Sequence, residues 1–87
     1  MTINEGFLLK EVAGSHVVVP VGNLSFNGMI SLNETGLMIW KMLEKGCDEA
    51  DLLQAFLEKY DVKAEVAKRD ISLFLDKLRS AGILNEA

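Results

Sequence analysis

The sequence is poor in the residues that carry most side-chain chemistry. Cys47 is its only cysteine and His16 its only histidine. One cysteine excludes an internal disulfide and fits a reducing compartment. One histidine in a valine-rich stretch has no second residue to complete a metal site or a nucleophile pair, and reads as a surface or structural residue. Cys47 has no CxxC partner. It follows one helix end and stands near the start of the next helix, a position that lowers a thiol pKa, although a tolerated small residue is the plainer reading. The 7 glycines are scattered singly over turns and junctions, so no glycine-rich phosphate loop is present. Basic residues are also scarce: 9 Lys and Arg stand against 13 Asp and Glu, for a net charge of −4. That balance argues against sequence-independent affinity for DNA, RNA or anionic membranes. The amino-terminal residues lack the basic and apolar regions of a signal peptide. No apolar run approaches the ~20 residues of a membrane span. These absences predict a cytoplasmic, non-enzymatic chain that holds no cofactor and no metal.

What is present is apolar residues in order. Hydrophobic residues make up 49% of the 87 positions, enough for one small domain, residues 1–87, with a modest core. Phe7–Val12 reads as a first strand and His16–Val21 as a second, joined through Ala13-Gly14-Ser15 as a hairpin. Pro20 cannot donate to a ladder, so it marks an outer side or a strand end. A turn over Gly22–Ser25 leads to a third strand from about Phe26 to Leu32. There Phe26, Gly28, Ile30 and Leu32 share one face and Asn27, Met29 and Ser31 the other.

At Asn33 the alternation stops. Asn33 is suited to cap a helix, and Glu34 then stands where the helix dipole favours an anion. The spacing predicts a first helix over about Glu34–Lys45, with Leu37, Ile39, Trp40 and Leu43 on its apolar stripe and a left-handed Gly46 at its end. Asp48 is the expected cap of a second helix, which carries Leu53, Phe56, Leu57 and Tyr60 on one side. A third helix over about Ala64–Ser80 has Ala67, Ile71, Phe74, Leu75 and Leu78 as its core stripe. Gly82 closes it, and Ile83 and Leu84 pack back on the core. The expected class is α+β: a three-stranded antiparallel sheet followed by a three-helix bundle, β-β-β-α-α-α. A three-stranded sheet has two edges, and the third strand is broken only by Asn27 and Ser31. Such an edge invites pairing with another chain.

The segments Phe7–Gly14, Val19–Gly22 and Asn33-Glu34-Thr35-Gly36 with Trp40 and Leu43, then Asp70-Ile71, Phe74-Leu75, Leu78 and Gly82-Ile83, resemble the PqqD family over nearly the whole chain. The most specific part is the Asn-x-Thr-Gly element with Trp40 and its flanking strand. Lys63 departs from the pattern, since such proteins more often carry a capping or acidic residue near the start of the third helix. The family is the RiPP recognition element, the peptide-chaperone domain of pathways that make and modify ribosomal peptides. The resemblance implies a winged-helix-like fold and a precursor leader that adds as a further strand beside the third one. It also implies delivery of that peptide to a modifying enzyme, a radical S-adenosylmethionine enzyme in the PqqD case, for pyrroloquinoline quinone (PQQ) biosynthesis or a related pathway.

In that setting the pairing backbone is Gly28, Met29, Ile30, Ser31 and Leu32, and the third helix forms the far wall. Val66, Asp70, Leu73 and Lys77 run along one row of it at spacings of three and four. Leu73 and Val66 are candidates to grip an apolar leader side chain, and Lys77 and Arg69 to pair an acidic one. Two other classes remain open. A winged-helix nucleic-acid binder needs a basic recognition helix, and here Lys68, Arg69, Lys77 and Arg79 are diluted by Glu65, Asp70 and Asp76. A structural dimerisation module would use the free edge to pair with a second copy. Monomer and homodimer are both compatible with the sequence.

Overall fold

A computed structural model of the protein describes residues 1–21 and 30–86. The turn expected at Gly22–Ser25 and the first half of the third strand, Phe26–Met29, lie outside the described residues. The elements are β1 (Thr2–Ile3), β2 (Phe7–Val12), β3 (Ser15–Pro20), β4 (Ile30–Leu32), α1 (Glu34–Lys45), α2 (Glu49–Lys59), α3 (Ala64–Ser80) and β5 (Leu84–Asn85). The fold is α+β: β2, β3 and β4 form an antiparallel sheet in that order, and three helices follow. No described helix is long and apolar enough to cross a membrane.

The β2–β3 hairpin closes through Ala13-Gly14, with Val12 opposite Ser15. Both turn residues have positive φ, 51° at Ala13 and 81° at Gly14. That is the type I′ requirement, whose twist matches the twist of the strands it joins. Gly14 meets it without steric cost, whereas the Cβ of Ala13 opposes it. Pro20 ends β3, as expected of a residue that cannot donate to a ladder. The alternation in β4 is the expected one: Ile30 and Leu32 are buried and Ser31 is exposed.

Two helix starts have side-chain caps. Asn33 Oδ1 accepts from the Gly36 amide at 2.8 Å, and Asp48 Oδ1 accepts from the Asp51 amide at 2.9 Å. Asp51 returns a bond to the Asp48 amide, completing a capping box. At α3 the cap position falls on Lys63, whose side chain makes no capping bond. Gly46 ends α1 at φ 91° and ψ 125°, outside the left-handed helical region expected of it. At the end of α3 the Gly82 amide bonds to the Arg79 carbonyl and the Ile83 amide to the Leu78 carbonyl. This is a Schellman closure, with Leu78 and Ile83 in the fully buried pair of positions that accompanies it.

Trp40, Ile39 and Leu43 from α1 fill the core with Leu52 and Phe56 from α2, Ala67, Ile71, Leu75 and Leu78 from α3, and Val18, Ile30 and Leu32 from the sheet. The α2 stripe is rotated from the expected one. Leu52 is fully buried, and Leu57 lies 38% exposed. Packing of α2 on α3 through Leu52 and Phe56, one turn apart, turns Leu57 outward.

A second, two-stranded sheet joins the chain's ends and had no signal in the sequence. Thr2 pairs with Asn85 and Ile3 with Leu84. The Asn4 side-chain amide donates to the Gly82 carbonyl at 2.9 Å, and Met1 exchanges backbone bonds with Cys47. Ile83 and Leu84 pack on the core as expected, and Leu84 does so as part of this strand pair.

Two substitutions test the local chemistry. Ala13→Asn relieves the left-handed strain and is expected to stabilise the protein by about 1 kcal/mol, a rise of roughly 4–8 °C in Tm for a domain of this size. Lys63→Asp supplies the missing cap of α3 and is expected to add a similar amount. Thermal denaturation followed by circular dichroism measures both.

Candidate functional site

In the three-stranded sheet β3 is central, so β4 has one paired side and one open side. Its partners are fixed: His16 opposite Leu32, Val17 opposite Ser31 and Val18 opposite Ile30. Among the described residues its other margin has no backbone partner. The amide and carbonyl groups along that margin are the template an extended peptide needs.

The chain passes from β4 into α1 with only Asn33 between them, and this junction sits beside α3. A cleft of about 620 Å³ lies here, lined by Ser31 and Leu32 of β4, His16 of β3, Glu34 and Leu37 of α1, and Phe74 and Lys77 of α3. A second chamber of about 350 Å³ continues between the start of α1 and α3, lined by Gly36, Ile39, Phe56, Asp70 and Leu73. Asn33, Phe74 and Lys77 border both chambers. The end of β4 therefore opens into a groove that has α3 as its far wall.

The structure brings five of the ten sequence-selected residues to this groove. Ser31, Leu32 and Lys77 line the first chamber, and Asp70, Leu73 and Lys77 the second. Leu73 is 62% exposed, the most exposed large apolar side chain among the described residues. Ile30 lies on β4 with its side chain in the core. Val66 is half-buried and Arg69 is exposed, its guanidinium 4.0 Å from the Asp70 carboxylate; neither lines the groove. Gly28 and Met29 lie outside the described residues.

Sequence reasoning missed Phe74, which it assigned to the core stripe. The ring is half-buried, packed against the core on one side and facing both chambers on the other. Its neighbour in sequence, Leu73, is largely exposed and lines the second chamber, so α3 carries an apolar face wider than its core contact needs. That excess apolar width was the available signal.

Among the described residues no cluster of three or more His, Cys, Asp or Glu is placed to hold a metal ion. Cys47 lies away from the groove, half-buried in the α1–α2 link. Burial raises its thiol pKa, the Met1 amino group opposes that, and the Asp51 and Asp48 carboxylates raise it further. The helix-start effect expected to lower it is outweighed by this desolvation and by the two acidic residues that cap the same helix.

Fold and groove together define a small α+β domain with an open sheet margin and, at the end of that strand, a groove walled by a helix. The chain belongs to the PqqD family: the family described as Coenzyme PQQ synthesis protein D (PqqD) matches residues 15–84. Two solved structures share the fold. TbiB1, in complex with the TbiA(beta) leader peptide, has a TM-score of 0.83 and 23% identity, covering 100% of this chain and 98% of its own. Lasso peptide synthetase B1, complexed with the leader peptide, has a TM-score of 0.77 and 22% identity, covering 93% and 92%. No curated protein matches the sequence.

The environment of Cys47 predicts a sluggish thiol. Its alkylation by iodoacetamide near neutral pH is expected to run several-fold slower than that of free cysteine, with a rate midpoint above the ordinary thiol pKa. A midpoint below it would contradict the burial argument.

Proposed function

We propose that this chain is a RiPP recognition element: a non-catalytic chaperone that binds the leader segment of a ribosomal precursor peptide and presents it to a modifying enzyme. The observation that carries the reading is the open margin of β4, whose end meets α3 across the groove. Backbone bonding of the leader to the Gly28–Leu32 stretch supplies affinity, and side chains of α3 supply selectivity. Leu73 grips an apolar leader side chain, while Lys77 attracts an acidic one. Membership of the PqqD family supports the reading, as do two structural neighbours that carry leader peptides.

The modifying enzyme is a radical S-adenosylmethionine enzyme, and the pathway is PQQ biosynthesis or a related peptide pathway in the cytoplasm. The whole chain, residues 1–87, acts as one recognition domain. The charge on α3 disfavours the nucleic-acid alternative. Arg79 is engaged by Asp76 and Glu86, and Arg69 lies beside Asp70, so the helix offers few free cations to phosphates.

Calorimetric titration with the leader half of a precursor peptide encoded beside the protein tests the reading. Leu73→Ala removes an apolar contact worth about 1.5–3 kcal/mol when fully buried and is expected to weaken binding about tenfold or more. Lys77→Ala removes an exposed ion pair worth about 0.2–1 kcal/mol, at most about fivefold. The reverse order would show that charge dominates. Amide shifts on titration are expected to cluster in Gly28–Leu32 and Val66–Lys77; shifts confined to other surfaces would exclude the groove.

A further inference from the structure

We infer that Phe74 is the specificity-determining residue of the groove and Gly36 its positioning residue, and that the occupant carries an apolar and an acidic side chain two residues apart. The inference rests on the strand-addition reading above.

Three observations carry it. Phe74 stands where the two chambers meet, so an occupant that passes from one to the other crosses its ring. The ring lies where it does because residue 36 has no side chain. A methyl group on Gly36 would sit 3.1 Å from Phe74 Cε1 and 3.5 Å from Cζ, and 3.2 Å from the capping Asn33 Oδ1. The Asn33 oxygen is held by the Gly36 amide and the Thr35 hydroxyl, so the ring is the group that must yield, toward the groove. Finally, Lys77 borders both chambers and has no ion-pair partner among the described residues, whereas Lys59, Arg69 and Arg79 each lie beside a carboxylate.

The spacing follows from geometry. Phe74 and Lys77 lie one helical turn apart, a rise of about 4.5 Å. Along an extended peptide, neighbouring side chains face opposite ways, and those facing the same way repeat about every 6.6 Å. One peptide residue on Phe74 and one on Lys77 are therefore at i and i+2, and the flexible lysine stem covers the difference. Asp70 lies two turns before Lys77 on the same wall and repels an acidic side chain placed at the other end of the groove.

Selection of a random peptide display library on the wild-type protein tests this, followed by fluorescence anisotropy of the enriched peptides. The enriched sequences are expected to hold a large apolar residue and an Asp or Glu at i and i+2. Gly36→Ala is expected to weaken them about tenfold or more, because the displaced ring overpacks the apolar subsite. The same peptides with that apolar residue changed to alanine should lose less than about threefold. Adding Phe74→Leu to Gly36→Ala should restore most of the lost affinity, an outcome that a general loss of structure would not produce. Lys77→Glu should turn the acidic preference into a basic one. If Gly36→Ala does not fold, Phe74→Leu alone decides: it should shift the preference toward larger apolar side chains, and an unchanged preference overturns the inference. Enriched peptides that shift the Ile30–Leu32 amides but lack the spacing overturn this inference alone. Absence of any enriched peptide, or shifts away from β4, overturns the strand-addition reading and this inference with it.

Discussion

The junction between β4 and α1 is the constraint on which the rest depends. Ile30 and Leu32 are held in the core, so β4 cannot slip by one residue without exposing both and burying Ser31. Asn33 follows at once and caps α1, which leaves no slack between strand and helix. Trp40 and Leu43, further along the same helix, anchor it in the core. The strand's register, the direction of its unpaired margin and the position of α1 are thus fixed by one short stretch of chain. A binding edge needs this rigidity, because a strand free to slide would offer a different row of donors and acceptors in each register.

The far wall is held as firmly. Ala67, Ile71, Leu75 and Leu78 seat α3, and the Schellman closure at Gly82 turns the chain back into the core at Ile83. The distance between margin and wall is therefore set by buried side chains on both sides. The polar and apolar groups between them, Lys77, Leu73 and Phe74, remain free to meet a ligand.

Much of this was legible in the sequence because it is encoded locally. Asn33, Asp48 and Gly82 signal helix ends through their own backbone chemistry, and the hairpin and the alternation of β4 follow from neighbouring residues. The features that escaped depend on packing between distant segments. The period of α2 admits two faces, and only contact with α3 selects Leu52 over Leu57. Phe74 has the spacing of a core residue, and its second role appears only once the glycine opposite it is in place. The β1–β5 pair spans two residues on each side, too few for any periodic signal, and joins segments at opposite ends of the chain.

That pairing sets Thr2 directly against Asn85, antiparallel, with the amino end further tied to the α1–α2 link at Cys47. The backbone thus enters β1 and leaves β5 side by side, at the same end of one short ladder. A unit built this way can be spliced into a surface loop of a larger polypeptide, or carried on a tether at either end, with little distortion of its host. Its portability comes from a ladder of two residue pairs, laid down apart from the groove.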